Sequence, residues 1–130
     1  EGYGQLALKY KTASKTFAGG ATEVIPVQVP ANAILIGALL RNDSTLVGAG
    51  AASYSAAYST GATQAISSGT DFVKNTKVTT FFNVQGSGEA TAITSAATDI
   101  TLTPNAGQLD TGTVTAVVYY FEITALTNAA

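Results

Sequence analysis

The chain of 130 residues has no cysteine, no histidine, no methionine and no tryptophan, and only 11% of its residues are charged. Without cysteine there is neither a disulfide framework nor thiolate chemistry, so stability must come from packing and hydrogen bonds, and the redox compartment is unreadable. Without histidine, the histidine-activated serine and cysteine nucleophiles are excluded. The lack of methionine means that Glu1 is not an initiator, and upstream residues are expected to have been cleaved, removed or left out. A formal net charge of −2 provides no basic field for phosphates, so no nucleic-acid partner is expected. Such sparse charge is less than a freely soluble surface usually carries, which points to cover by another subunit and hence to a homo-oligomer or assembly component. No apolar run approaches the roughly 20 residues of a membrane-crossing helix and no charged-then-apolar leader opens the chain, so no membrane association is expected.

The length suits one domain, 1–130, in which residues 1–17 are an N-terminal arm or edge strand. Alanine supplies much of the 46% apolar share and buries little area per residue, so a thin core is expected. No window repeats apolar residues at helical spacing, whereas alternation and β-branched runs are frequent and threonine is abundant. The chain therefore reads as all β. Strands are expected at 5–11, 23–29, 33–41, 52–59, 77–84, 90–93, 99–103 and 113–124, separated by glycine-rich loops at 42–50 and 85–89 and a small-residue surface stretch at 61–71.

The segment 24–40, VIPVQVPANAILIGALL, is the most informative. Ile25, Val27 and Val29 alternate onto one side, while Pro26 on the other marks an edge strand or bulge because proline cannot donate to a ladder. Pro30-Ala31-Asn32 turns the chain. Residues 33–41 are nearly uniformly apolar, as in a strand covered on both faces, with a bulge expected near Gly37 and Ile34 assigned to the core. In the first strand Leu6, Leu8 and Tyr10 form the apolar face expected to enter the core, opposite Lys9 and Lys11. The last strand, TVTAVVYYFEIT, has no breaker and should be central. Many short strands without crossover helices give an antiparallel two-sheet β-sandwich of jelly-roll type, with an immunoglobulin-like sandwich as runner-up.

No residue pattern supports catalysis, so no catalytic, cofactor-binding or metal-binding residues are assigned and the protein is not expected to be an enzyme. Glu89 and Asp99 are the conceivable carboxylate pair but read as solvated turn residues. Ser14-Lys15 are adjacent, which directs their side chains apart on an extended chain. Gly48-Ala49-Gly50 and Gly86-Ser87-Gly88 lack the rest of a nucleotide loop. Asp43, Asp71, Asp99 and Asp110 lack calcium-loop spacing, which leaves only a metal gathered by tertiary or symmetry contacts. Asn42-Asp43-Ser44 matches a glycosylation triplet. Tyr3, Tyr54 and Tyr58 are candidates for a sugar-binding or subunit-contact surface, whereas Tyr119 and Tyr120 are assigned to partial burial. Lys9, Lys11 and Lys15 read as a solvated edge.

In their order, KYKTASKTFAGGATEVIPVQVPANAILIGALL and then TAITSAATDITLTPNAGQLDTGTVTAVVYYFEI, these signals resemble small β-sandwich structural proteins of tailed bacteriophages. The likeness runs from about Lys9 to Ile123; the stretch 42–71 departs from it most. The resemblance implies a virion protein on the phage head surface, a capsid decoration or cement protein bound to the major capsid protein as a homo-oligomer, with a trimer as the first expectation. Two alternatives are a subunit of a cell-surface filament or layer, pairing through residues 5–11, and a tail-associated glycan- or receptor-binding module using Tyr54 and Tyr58.

Overall fold

A computed structural model describes residues 5–59, 65–81 and 94–124, with ten strands and no helix among them. These are β1 (Gln5–Thr16), β2 (Glu23–Val29), β3 (Ala33–Asn42), β4 (Val47–Ala49), β5 (Ser53–Tyr58), β6 (Ala65–Asp71), β7 (Lys77–Phe81), β8 (Thr98–Pro104), β9 (Gln108–Thr111) and β10 (Thr113–Thr124). All pairings are antiparallel. One sheet has the order β1-β10-β3-β7, the second β2-β8-β5-β6, and β4 pairs with β9 at one end.

With β4 and β9 set aside, the first strand pairs with the last, the second with the next to last, and successive pairs alternate between the sheets. This winding is that of a jelly roll; an immunoglobulin sandwich orders its strands otherwise. Strand β10 is central, and its Val114, Ala116, Val118 and Tyr120 are buried against Ile25, Val27 and Val29 of β2 and Ile100 and Leu102 of β8 in one core cluster. Each large apolar group buried there contributes about 1.5–3 kcal/mol.

The turn at Pro30 forms as expected, and its lock comes from Thr94. Asn32 takes a left-handed backbone, φ +61°, which asparagine tolerates better than most residues. Its N–H donates to the Thr94 carbonyl at 2.8 Å. The buried Thr94 hydroxyl donates to Pro30 O at 2.8 Å and accepts the Ala33 N–H at 2.9 Å. Pro26 is exposed on an edge strand whose register shifts between Ile25 and Val29. There Gln28 adopts φ +58° and donates its N–H to Asp99 Oδ1 at 2.9 Å.

A bulge near Gly37 corrects the reading of β3. Tyr119 of β10 faces Gly37 while Tyr120 faces Leu35, so Ile36 is the extra residue. Ala33 and Leu35 point inward before it and Ala38, Leu40 and Asn42 after it. Ile34, opposite Phe121, faces outward and is half-buried, so it is not a core residue. The strand's outer side is apolar but not covered as the core is.

Three further expectations change. Strand β1 runs on to Thr16. Within 61–71, taken for a surface stretch, β6 forms because Ile66 and Thr70 reach inward and its backbone pairs with β5. Short strand β4 lies within the loop expected at 42–50 and pairs with β9, where no strand was expected, and Gly107 (φ +63°) is required beside them: a Cβ there would lie 1.6 Å from Ala49 O. The expected strand at 90–93 and turn at 85–89, with Glu89 and Gly86-Ser87-Gly88, lie outside the described residues, as do residues 82–84.

Candidate functional site

The residues singled out for chemistry are scattered. Ser14 shares a hydroxyl hydrogen bond with Thr115 at 2.6 Å on the outer side of β1, whereas Lys15 lies on the other side, 3.7 Å from Glu23. They form no dyad. Asp99 accepts from Gln28, and Asp43 holds Arg41 at 2.7 Å and the Thr115 hydroxyl. Among the described residues no three acidic side chains gather into a metal site.

Asn42 is fully buried and connects both sheets. Its Nδ2 donates to Asp71 O at 2.7 Å and Val73 O at 3.0 Å, and its Oδ1 accepts the Tyr54 hydroxyl at 2.8 Å. An amide so enclosed cannot be a glycosylation acceptor, which removes that reading of Asn42-Asp43-Ser44. Tyr54 and Tyr58 are 1% and 7% exposed and belong to the core, not to a sugar-binding surface. Their shared face is the inward face of β5, with Ala56 between them and Phe72 stacked 6.2 Å from Tyr54. Burial pushes the Tyr54 hydroxyl up to about 12 and raises that of Tyr58 as well. Tyr3 lies outside the described residues.

The strongest unexplained surface is the outward face of the β1-β10-β3-β7 sheet. Residues directly opposite in an antiparallel pair share a face. The register sets Leu8 against Phe121 and Tyr10 against Tyr119, while Lys9, Lys11 and Lys15 stand against the inward-facing Tyr120, Val118 and Val114. The expectation for β1 is therefore reversed: the lysine side faces the sandwich at its edge, and the leucine-tyrosine side faces out. An edge position permits this, because lysine stems can lie along apolar surface and release their amines to water or to an ion pair. Lys9 meets Glu122 in this way, and Lys15 approaches Glu23.

Leu8 and Tyr10 are consequently 64% and 65% exposed. Tyr10 leans on Tyr119, ring centroids 6.3 Å apart, and Tyr119, expected to be partly buried in the sandwich, lies instead on its outer face at 38% exposure, whereas Tyr120 is buried in the core. Val117, Phe121, Ile34 and Leu39 continue the apolar surface as half-buried side chains. A hollow of about 260 Å³ lies among Ala38, Leu39, Thr79 and Tyr119. Farther along the face the surface becomes polar, with Ser14, Thr16, Thr113 and Thr115 in hydroxyl pairs beside Arg41 and Asp43.

No protein-family model matches the sequence, and no curated protein matches it. Among solved structures, a chain of the one described as the cyanophage Pam1 capsid asymmetric unit is similar, with 15% identity and a TM-score of 0.52, over 92% of this chain and 86% of that one. At that identity the likeness is one of fold.

Proposed function

We propose that this protein is a structural component of a phage virion, a decoration or cement protein that binds the major capsid protein on the assembled head and stabilises it as a homo-oligomer without catalysing a reaction. The observation that carries this reading is the fold likeness to a chain of a cyanophage capsid asymmetric unit across nearly the whole length. Sparse charge and a broad outward apolar face suit a protein that works by packing against other subunits. The order of strand and turn signals leads to the same class independently. Incubating the purified protein with expanded heads should give saturable binding at fixed copy number and raise the temperature at which the heads lose their contents. Absence of the protein from purified virions, measured by quantitative mass spectrometry, overturns the proposal.

A second reading, a subunit of a cell-surface filament or layer, is favoured by the position of the twelve-residue β1 at a sheet edge. A leader peptide encoded upstream supports it, and a start codon without one removes it. The glycan-binding reading loses its residues with the burial of Tyr54 and Tyr58.

A further inference from the structure

The outward face of the β1-β10-β3-β7 sheet holds a projection and a recess side by side. Leu8 and Tyr10 project near the free edge, and the hollow walled by Tyr119, Leu39 and Thr79 lies across the neighbouring strands. Both point along the same outward normal. Two copies brought face to face about a twofold axis place each projection over the other copy's recess at the same time, whereas a head-to-tail contact needs the two features on different surfaces.

Charge also favours a copy of the same chain. Identical surfaces bring identical charges together, and like charges across an interface are costly. The side chains of the projection and recess carry no charge. At the polar end of the face Arg41 and Asp43 pair at 2.7 Å, and Lys77, opposite Arg41 in register, adds one exposed positive charge away from the projection and recess. Size is adequate too: with about 3.3 Å per residue and about 4.8 Å between strands, the four strands offer a flat footprint on the order of 600 Å². Side-chain relief adds to this, bringing it near the roughly 800 Å² per partner of a standard interface.

We infer that a second copy of this chain packs on this face, Tyr10 of each copy entering the hollow beside Tyr119 of the other. The inference rests on the self-association part of the proposed function and not on head binding. The test is sedimentation of the free full-length protein from micromolar to near-millimolar concentration, beside head binding measured separately. A dimer is expected, and Tyr10→Asp, at an exposed position, should raise its dissociation constant by about tenfold or more, as loss of an aromatic anchor does. Thr103→Asp on the opposite sheet should not change it.

Because the chain lacks cysteine, Thr12→Cys copies mixed with Thr79→Cys copies should be joined by a short bis-maleimide into a species of twice 13.1 kDa, and Val73→Cys copies should not join with either. A protein that stays monomeric over the whole range overturns the inference, whatever it does on heads. So does an oligomer untouched by Tyr10→Asp, or one that cross-links equally through Val73→Cys. Loss of head binding with self-association intact removes the capsid reading and leaves this contact standing.

Discussion

The two outward faces of the sandwich differ in composition although the strands behind them share one core. On the β2-β8-β5-β6 sheet the outward residues include Pro26, Gln28, Ser55, Thr101 and Thr103, with Val24 the exposed large hydrophobic. On the β1-β10-β3-β7 sheet they include Leu8, Tyr10, Ile34, Leu39, Val117, Tyr119 and Phe121. A one-sided strand needs only alternation, and β2 and β8 alternate. Strands β3 and β10 are apolar on both sides, so their sequences meet two demands where the core imposes only one. The second demand is what a covering partner explains.

The largest test of that contrast sets an inward against an outward residue of similar chemistry. Val27→Asp buries an unpaired carboxylate in a site 3% exposed and should abolish cooperative folding, since its cost of several kcal/mol consumes most of a stability of about 5–15 kcal/mol. Ile34→Asp, on the outward side of β3, should remain folded and lose about 1–2 kcal/mol, because its carboxylate reaches water. Circular dichroism with thermal melting separates the two. Unfolding of Ile34→Asp would show that the outward face is closed in the single chain.

Next comes the connection between the sheets. Asn42→Ala leaves Asp71 O, Val73 O and the Tyr54 hydroxyl without that partner and should cost about 3 kcal/mol in urea unfolding. Tyr54→Phe should cost less, about 1–2 kcal/mol. The same tyrosine gives a pH signature. In the unfolded chain it ionises near pH 10, whereas in the fold burial holds its proton up to about 12. Stability present below pH 10 should therefore fall as pH rises from about 10 to 12, and less steeply in Tyr54→Phe. An unchanged alkaline slope removes this account of the hub.

The smallest effects lie on the surfaces. Val117→Thr keeps a β-branched side chain on the apolar outward face and should alter the melting stability of the single chain by no more than about 1 kcal/mol. Asp43→Asn should matter less still. Partial burial works to raise the Asp43 pKa, but hydrogen bonds from Thr115 and Arg41, and the Arg41 charge, outweigh it and hold the carboxyl below its ordinary value. Its stabilisation is present above the ordinary carboxylate pKa and lost as pH falls through the lowered one, so acid titration should show a slight loss that Asp43→Asn lacks.

Local chemistry shows how much was legible beforehand. The strands at 23–29 and 113–124 match their expected limits because alternation in one and unbroken β-branched and aromatic residues in the other leave little choice. Pro26 at an edge and a bulge at Gly37 follow from a missing donor and a missing side chain. The face of β1 was misread, because Leu8 and Tyr10 look like core residues until pairing with β10 turns them outward. Asn42 and Tyr54 carried no signal of their partnership, since twelve residues and a change of sheet separate them.

The sequence by itself determined that the chain is all β, where most of its strands run, and that each strand divides its side chains into two sets, because the pleat has a period of two. Which set faces inward was decided by the tertiary structure wherever both sets are apolar or a bulge shifts the phase, as in β3 and β10, and where an edge position lets lysine stems lie along the sandwich, as in β1. Pairing register is a relation between segments far apart in the chain, and no local pattern contains it. That relation placed Tyr10 and Tyr119 on the surface and Tyr54 in the core.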